Sequence, residues 1–261
     1  MRHVRTPHGH PGAGSSFASL EPMLPKPHHP TRSPVSSSPI ALPRPKLGAG
    51  KSLPEALRLR RTTREISARK LPLQVLSNLL WAACGVNRSN GPFDGPGITA
   101  ASASNSQEVQ LYVLTKDGAY LFDAVGHRLL PVVASDLRAL AISWGQREMV
   151  TAAPVQLVYV ADIQRLVNTT GFQEPGLHDP EVQKSYYYVA TGLIAGNIYL
   201  FAAAQGLAAW FHNCDRAGLA KKLKLRPEQR VLFGQTVGYP GRAFTGAPPP
   251  SRPVPRASPS A

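Results

Sequence analysis

The apolar positions of this chain change period several times, and each change marks an element. Ser52 is followed three residues later by Glu55, with Pro54 between them. That spacing is a capping box and predicts a short helix over Leu53–Arg61. In PLQVLSNLLWAACGV, residues 72–86, Val75, Leu76, Leu79, Leu80 and Ala83 share one helical face, and Gly85 suits a stop. Residues 87–99 are a Gly/Pro loop. The period then drops to two. VQLYVLT, 109–115, predicts a strand, Lys116-Asp117-Gly118 a hairpin turn, and AYLFDA, 119–124, the return strand. RLLPVV adds a short edge piece. DLRALAIS, from Asp136, reads as helix, and APVQLVYVAD, 153–162, as a buried strand. A loop is expected over 168–180. SYYYVATGLIAGNIYLFAAAQGLAAW, 185–210, is the longest apolar run and reads as one helix. A short amphipathic helix over 217–229 and a strand over 231–240 close the pattern. This order suits an α+β domain, an antiparallel-rich sheet wrapped by helices.

Composition sets the limits of that domain. Residues 1–50 hold ten of the 26 prolines, and residues 241–261 hold six. Such segments bury too little apolar surface to offset chain entropy. A disordered leader over 1–50, a domain over 51–242 and a disordered tail over 243–261 are therefore expected. The net charge is +14, of which the leader carries +5 and residues 241–261 carry +3. These charges are sparse and have few aromatic neighbours, which argues against specific nucleic-acid binding. Cys84 and Cys214 make no disulfide framework, and the five leader histidines lack metal-site partners. No apolar signal segment opens the chain. Asn197 and Gln205 favour a core or dimer helix over a membrane span for 185–210. A cytoplasmic protein is expected.

KLGAGKSLPEALRLRRTTREIS, residues 46–67, holds two candidate phosphate grips. A Walker loop needs its first glycine where Pro45 stands, after a strand that ALPRPK cannot form. GAGKS is therefore the end of the leader and a helix cap. RRTTR sets three guanidiniums and two hydroxyls within five residues, Arg60 to Arg64. Arginine offers a rigid fork to phosphate oxygens, and threonine adds a neutral donor.

Three further stretches stand with it: SASNSQ at 102–107, NIYLFAAAQGL at 197–207, and VGYP at 237–240. Together the four motifs resemble the nitroreductase-like FMN oxidoreductases over about residues 52–242. The region LPRPKLGAGKSLPEALRLRRTTRE also resembles the branch related to the peptide azoline dehydrogenases. The chain departs from the family pattern at Ala101, Ile98 and Asn213, where relatives tend to carry Pro, Arg and Gly.

The resemblance implies a nitroreductase-like α/β sandwich, an intertwined homodimer, and noncovalent FMN at the subunit interface. Arg60 and Arg64 would hold the phosphate or ribityl end, with Arg61 and Thr62 beside them. Arg242 would complete the phosphate site from the C-terminal end. Ser102, Ala103 and Asn105 would face the ring or ribityl chain, Asn105 through its amide. The backbone of Phe211, His212 and Asn213 would lie near flavin N5, and His212 is a candidate proton donor. The implied activity passes hydride from NAD(P)H through flavin to a nitro- or quinone-like acceptor, without a metal. Two alternatives are a flavin dehydrogenase oxidising a partner-delivered substrate such as a peptide azoline, and a non-enzymatic flavin- or anion-binding module with basic tails.

Overall fold

The computed structural model describes residues 38–93, 95–143, 153–170 and 178–241. A seven-stranded antiparallel sheet runs through them in the order β1-β6-β5-β4-β7-β9-β8. Its strands are β1 (Ile40–Ala41), β4 (Val109–Thr115), β5 (Gly118–Asp123), β6 (Arg128–Val133), β7 (Val155–Asp162), β8 (Ala208–His212) and β9 (Gln229–Gly238). A two-stranded ribbon, β2 (Val86–Arg88) with β3 (Gly97–Ile98), sits apart from it. The helices are α1 (Leu53–Leu59), α2 (Leu73–Cys84), α3 (Ile163–Val167), α4 (Pro180–Gln205) and α5 (Arg216–Lys222).

Strand alternation divides the core into layers. Val109, Leu111 and Val113 of β4 join Leu157 and Tyr159 of β7 beneath α2 and α4. Leu79, Leu80 and Ala83 of α2 and Ile194, Ile198 and Ala202 of α4 complete that layer. Tyr112, Leu114, Val158 and Val160 face the other way, onto Leu219 and Leu223 in and after α5. Every residue of β7 is buried, as a central strand covered on both faces requires. The two cysteines fall in different layers, Cys84 in the first and Cys214 in the second, and both are free. Burial pushes their thiols up, to about 12 and about 11.

The capping box forms: the Ser52 side chain accepts from the Glu55 amide, and the Glu55 carboxylate accepts from the Ser52 amide. Besides the β2–β3 ribbon at the ends of the expected 87–99 loop and the end at Lys222 of the helix expected over 217–229, four sequence expectations change. First, residues 38–50 belong to the fold. Ile40 and Ala41 pair with Leu129 and Arg128, and Leu42 is buried. Lys46 N donates to Asn78 Oδ1 at 2.9 Å, and Pro43 O accepts from Ser77 Oγ at 2.5 Å. Prolines are tolerated here because β1 is an edge strand. Second, β1 covers β6, so RLLPVV lies one strand in from the edge. Third, DLRALAIS forms a single 3-10 turn at Arg138–Leu140. Its arginine reaches back to Asp136 and across to Ala153 O instead of continuing a helix. Fourth, the long apolar run is two elements. Asp179 caps α4 and Pro180 opens it, five residues before the apolar run begins. Gly206, at φ +67°, then ends it in the left-handed region. The small residues after it extend as β8, the outer strand beside β9.

The leader before residue 38, the tail from 242 and part of the 168–180 loop lie outside the described residues.

Candidate functional site

After α1 the chain straightens and runs along the free edge of β8. Thr63 N donates to Ala209 O at 2.9 Å, and Ser67 N to Tyr239 O at 2.8 Å. Extended backbone sends alternate side chains to opposite sides. Arg60, Thr62 and Arg64 are exposed, whereas Arg61 and Thr63 are half-buried. The two exposed arginines pack on different rings. The Arg60 guanidinium lies 5.6 Å from the centre of the Tyr199 ring, and that of Arg64 lies 5.3 Å from Trp210. Stacking on rings steadies both forks without occupying their donors. Between them in sequence, Thr62 Oγ1 stands 3.0 Å from the Tyr199 hydroxyl, which also accepts from Phe211 N at 2.9 Å. Arg61 and Thr63 line a cleft of about 240 Å³ with Lys51, Leu59, Ala203 and the same Tyr199.

The strand β8 presents its residues unequally. Phe211 is partly exposed, 5.7 Å from the Tyr159 ring and 4.8 Å from Phe233. Asn213 is exposed, and its Oδ1 accepts from Arg216 Nη2 at 3.2 Å. His212 points inward. Its Nε2 is 2.8 Å from Thr236 Oγ1 and its Nδ1 is 3.0 Å from Asn213 O. The Asn213 carbonyl can only accept, so Nδ1 carries the proton. Burial holds the ring below the usual histidine range, with that carbonyl pulling weakly the other way. A buried ring whose nitrogens face Asn213 O and Thr236 Oγ1 is packed inside the chain. Of the two roles open to His212, proton donor or packing histidine, the buried ring favours packing; its backbone lies on β8.

The loop 102–107 is built differently. Ser104, Asn105 and Gln107 all have positive φ, +46°, +54° and +48°. Their side chains hold this shape. Asn105 Nδ2 donates to Pro92 O at 3.1 Å and Pro96 O at 3.2 Å. Gln107 Nε2 donates to Pro96 O at 2.7 Å and Asn105 Oδ1 at 3.1 Å. Ser102 Oγ accepts from Gln107 N at 3.0 Å. The Asn105 amide, expected to face a ligand, is thus engaged within its own chain. Ser102 and Ala103 are half-buried. Behind them lies Glu108, fully buried, which sequence reasoning missed. Ser106 Oγ donates to its Oε2 at 2.7 Å. Burial raises its carboxyl above the usual range, against smaller opposing pulls from that hydroxyl and Arg165.

No hydrogen bond or ring contact joins this loop to the arginine segment among the described residues. Helix α4 stands between the two: Asn197 Nδ2 donates to Thr99 O at 3.3 Å, and Tyr199, two residues on, reaches Thr62. Tyr199 was also missed, because it sits inside an apolar helical run that reads as core. Arg242 lies outside the described residues. Among the described residues no group of three or more His, Cys, Asp or Glu side chains could hold a metal ion.

The nitroreductase family model matches residues 57–239. A candidate nitroreductase of Methanocaldococcus jannaschii is 27% identical over 162 residues, 59% of this chain and 75% of that protein. The crystal structure of a candidate nitroreductase from Ralstonia eutropha is 32% identical, covers 85% of this chain and 97% of its own, and superposes with a TM-score of 0.66. A chain of the E. coli microcin synthetase McbBCD complex shares the fold at 16% identity and a TM-score of 0.55, over 75% of this chain and 76% of that one.

Proposed function

The chain belongs to the nitroreductase family, and from that premise we propose that it is an FMN-dependent oxidoreductase. It passes reducing equivalents from NAD(P)H to a nitro- or quinone-like small-molecule acceptor. The observation that carries this reading is the exposure of Arg60, Thr62 and Arg64 on the segment tied to the outer edge of β8. Two ring-backed guanidiniums with a hydroxyl between them in sequence fit a phosphate monoester. Phe211, partly exposed on β8, offers an aromatic surface to a planar group.

Noncovalent FMN would supply the two-electron chemistry. The protein's part is to hold and orient. Arg60, Arg64 and Thr62 grip the phosphate end, and Arg61 secures the segment from the cleft side. The Phe211–Asn213 backbone borders the ring. Ser102 and Ala103 lie in a second region that a partner chain's symmetry would bring to the same ligand. That arrangement needs a homodimer, and α4 offers the surface. Its outward face exposes Tyr188, Val189 and Leu193 at 38, 62 and 44%. A Cβ added at Gly192 or Gly196 would meet nothing, which leaves room for a close helix approach. The same helix is long and apolar enough to cross a membrane. Its buried stripe, Ala190, Ile194, Ile198 and Ala202, packs on the sheet, so we read it as a core and dimer helix of a cytoplasmic protein.

The test is the visible spectrum of the purified protein and of the supernatant after denaturation. A yellow protein that releases one FMN per chain, and bleaches with NAD(P)H without oxygen, is expected. Protein that stays colourless after incubation with excess FMN would overturn the reading.

A further inference from the structure

The hydroxyl of Tyr199 joins two parts of the chain that are far apart in sequence. It accepts from the Phe211 backbone N–H at 2.9 Å and lies 3.0 Å from Thr62 Oγ1. A backbone N–H can only donate, so the phenol oxygen uses a lone pair there. The Thr62–Tyr199 bond admits either oxygen as donor, and in one of its two directions the phenol proton goes to Thr62 Oγ1. With that oxygen accepting, the proton of Thr62 is free to point outward. Thr62 is exposed and stands in sequence between two exposed arginines, Arg60, stacked on this same tyrosine, and Arg64, stacked on Trp210. The chain of hydrogen bonds thus runs from an amide on β8 to an exposed threonine hydroxyl.

We propose that Tyr199 is a positioning residue: it fixes the Thr62 hydroxyl as a donor toward a phosphate monoester held between Arg60 and Arg64. The inference rests on the flavin reading above, since FMN is the phosphate ester invoked. It adds a residue on a helix that no phosphate motif contains, and a direction for the hydrogen bonds. Tyr199 touches no ligand itself; it acts through Thr62. A hydroxyl donating to an anionic oxygen makes a charge-assisted bond, stronger than a neutral one. A hydroxyl free to rotate loses part of that gain to ordering.

The test is a flavin titration of Tyr199→Phe, Thr62→Val and the double variant, with riboflavin, which lacks the phosphate, run in parallel. Tyr199→Phe keeps the ring beneath Arg60. Its FMN affinity should fall about tenfold, the worth of roughly one charge-assisted bond. Its riboflavin affinity should stay within about twofold of the parent on the same reasoning. In the Thr62→Val background, Tyr199→Phe should change FMN binding no further, because residues acting in one chain are not additive. Equal FMN affinity for Tyr199→Phe and the parent would overturn the inference while leaving the flavin reading intact. Equal losses for FMN and riboflavin would overturn it too, by placing the effect on the ring or the fold. A parent protein that binds no FMN would defeat the flavin reading and this inference with it. Circular dichroism and the melting temperature of each apo-variant separate misfolding from lost affinity.

Discussion

The arginine segment 60–64 and the loop 102–107 carry the two polar motifs of this chain, and they use their side chains in opposite ways. In the segment, the backbone is tied to its neighbours, through Thr63 N to Ala209 O and Ser67 N to Tyr239 O. The side chains of Arg60, Thr62 and Arg64 are left facing solvent. In the loop, the side chains do the tying. Asn105 and Gln107 donate to the carbonyls of Pro92 and Pro96, and the backbone takes three positive φ values as a result. Side chains held ready for a ligand should matter to affinity and little to stability. Side chains that shape their own backbone should matter to stability first. Motif resemblance alone treats the two regions alike.

The largest effect should come from breaking the first half of that contrast. The double variant Arg60→Ala/Arg64→Ala loses two charge-assisted contacts, each worth roughly 1.5–3 kcal/mol. FMN affinity should fall by about two to four decades. Its unfolding free energy should fall by only about 1–2 kcal/mol, the worth of two exposed cation–π contacts. Titration and denaturant unfolding of one preparation check both. A fall in stability that matches the fall in affinity would erase the distinction between the regions.

The converse comes next. Asn105→Ala removes both donations to proline carbonyls and places alanine at φ +54°. With the Gln107 Nε2 bond to Asn105 Oδ1, three lost hydrogen bonds and left-handed strain together cost about 3–5 kcal/mol. Asn105→Gly, which accepts that backbone, should recover part of the loss. Denaturant unfolding of the two variants measures it. An unchanged midpoint for Asn105→Ala would show that the loop is held by something other than its amides.

How much of this was legible in the sequence follows the same division. Elements with a strong period were read closely: β4 runs Val109–Thr115 as the alternation predicts, and Ser52 and Glu55 form their capping box. The cluster of guanidiniums at 60–64 is visible in the sequence, but its split into exposed Arg60, Thr62 and Arg64 and half-buried Arg61 and Thr63 was not, because helix is expected to Arg61 and ends at Leu59. The role of Asn105 was not readable, since its partners lie nine and thirteen residues upstream in an irregular loop. Tyr199, Glu108 and the inward turn of His212 depend on contacts across the sheet and helix. Ile40–Ala41 was hidden by prolines that a two-residue edge strand tolerates. The break at Gly206 was masked because buried alanines suit helix and strand alike.

The two regions also differ in what is buried behind them, and pH should separate them. Behind the segment, burial lowers the pKa of His212. Its folded state holds fewer protons than the unfolded chain, whose histidine titrates near 6.5. The stability from its neutral form is present above that pH and is lost as pH falls through the folded value. Behind the loop, burial raises Glu108 above its ordinary 4.5. Stability from its protonated form is present below 4.5 and is lost as pH rises through the folded value. His212→Gln should therefore flatten the acid-side decline below 6.5, and Glu108→Gln the loss above 4.5. His127 is also lowered by burial, so each slope is compared with the parent rather than read alone. Changes of the same sign in both variants would contradict the assignment.

The smallest effect is expected in the cleft beside the arginine segment, and it decides between the two halves of the stretch 46–67. Lys51 is the lysine of GAGKS, the would-be Walker lysine. It lines the 240 Å³ cleft with Arg61, Thr63 and Tyr199, and Arg60, Thr62 and Arg64 are absent from that lining. Its backbone is fixed by donation to Ala204 O at 3.0 Å, just behind Ser52 at the start of α1. The GAGK backbone is thus engaged with the end of α4, where helix carbonyls gather, rather than wrapped round an anion. A carbonyl-rich helix end repels negative charge. Lys51→Ala should accordingly change FMN affinity by less than about threefold, below 1 kcal/mol, with a melting temperature close to the parent. Flavin titration of Lys51→Ala beside Arg60→Ala and Arg64→Ala is the measurement. If Lys51→Ala alone weakens binding while both arginine variants bind as the parent does, the phosphate belongs in the cleft. The exposed side chains of the segment would then be a solvated surface stacked on two rings.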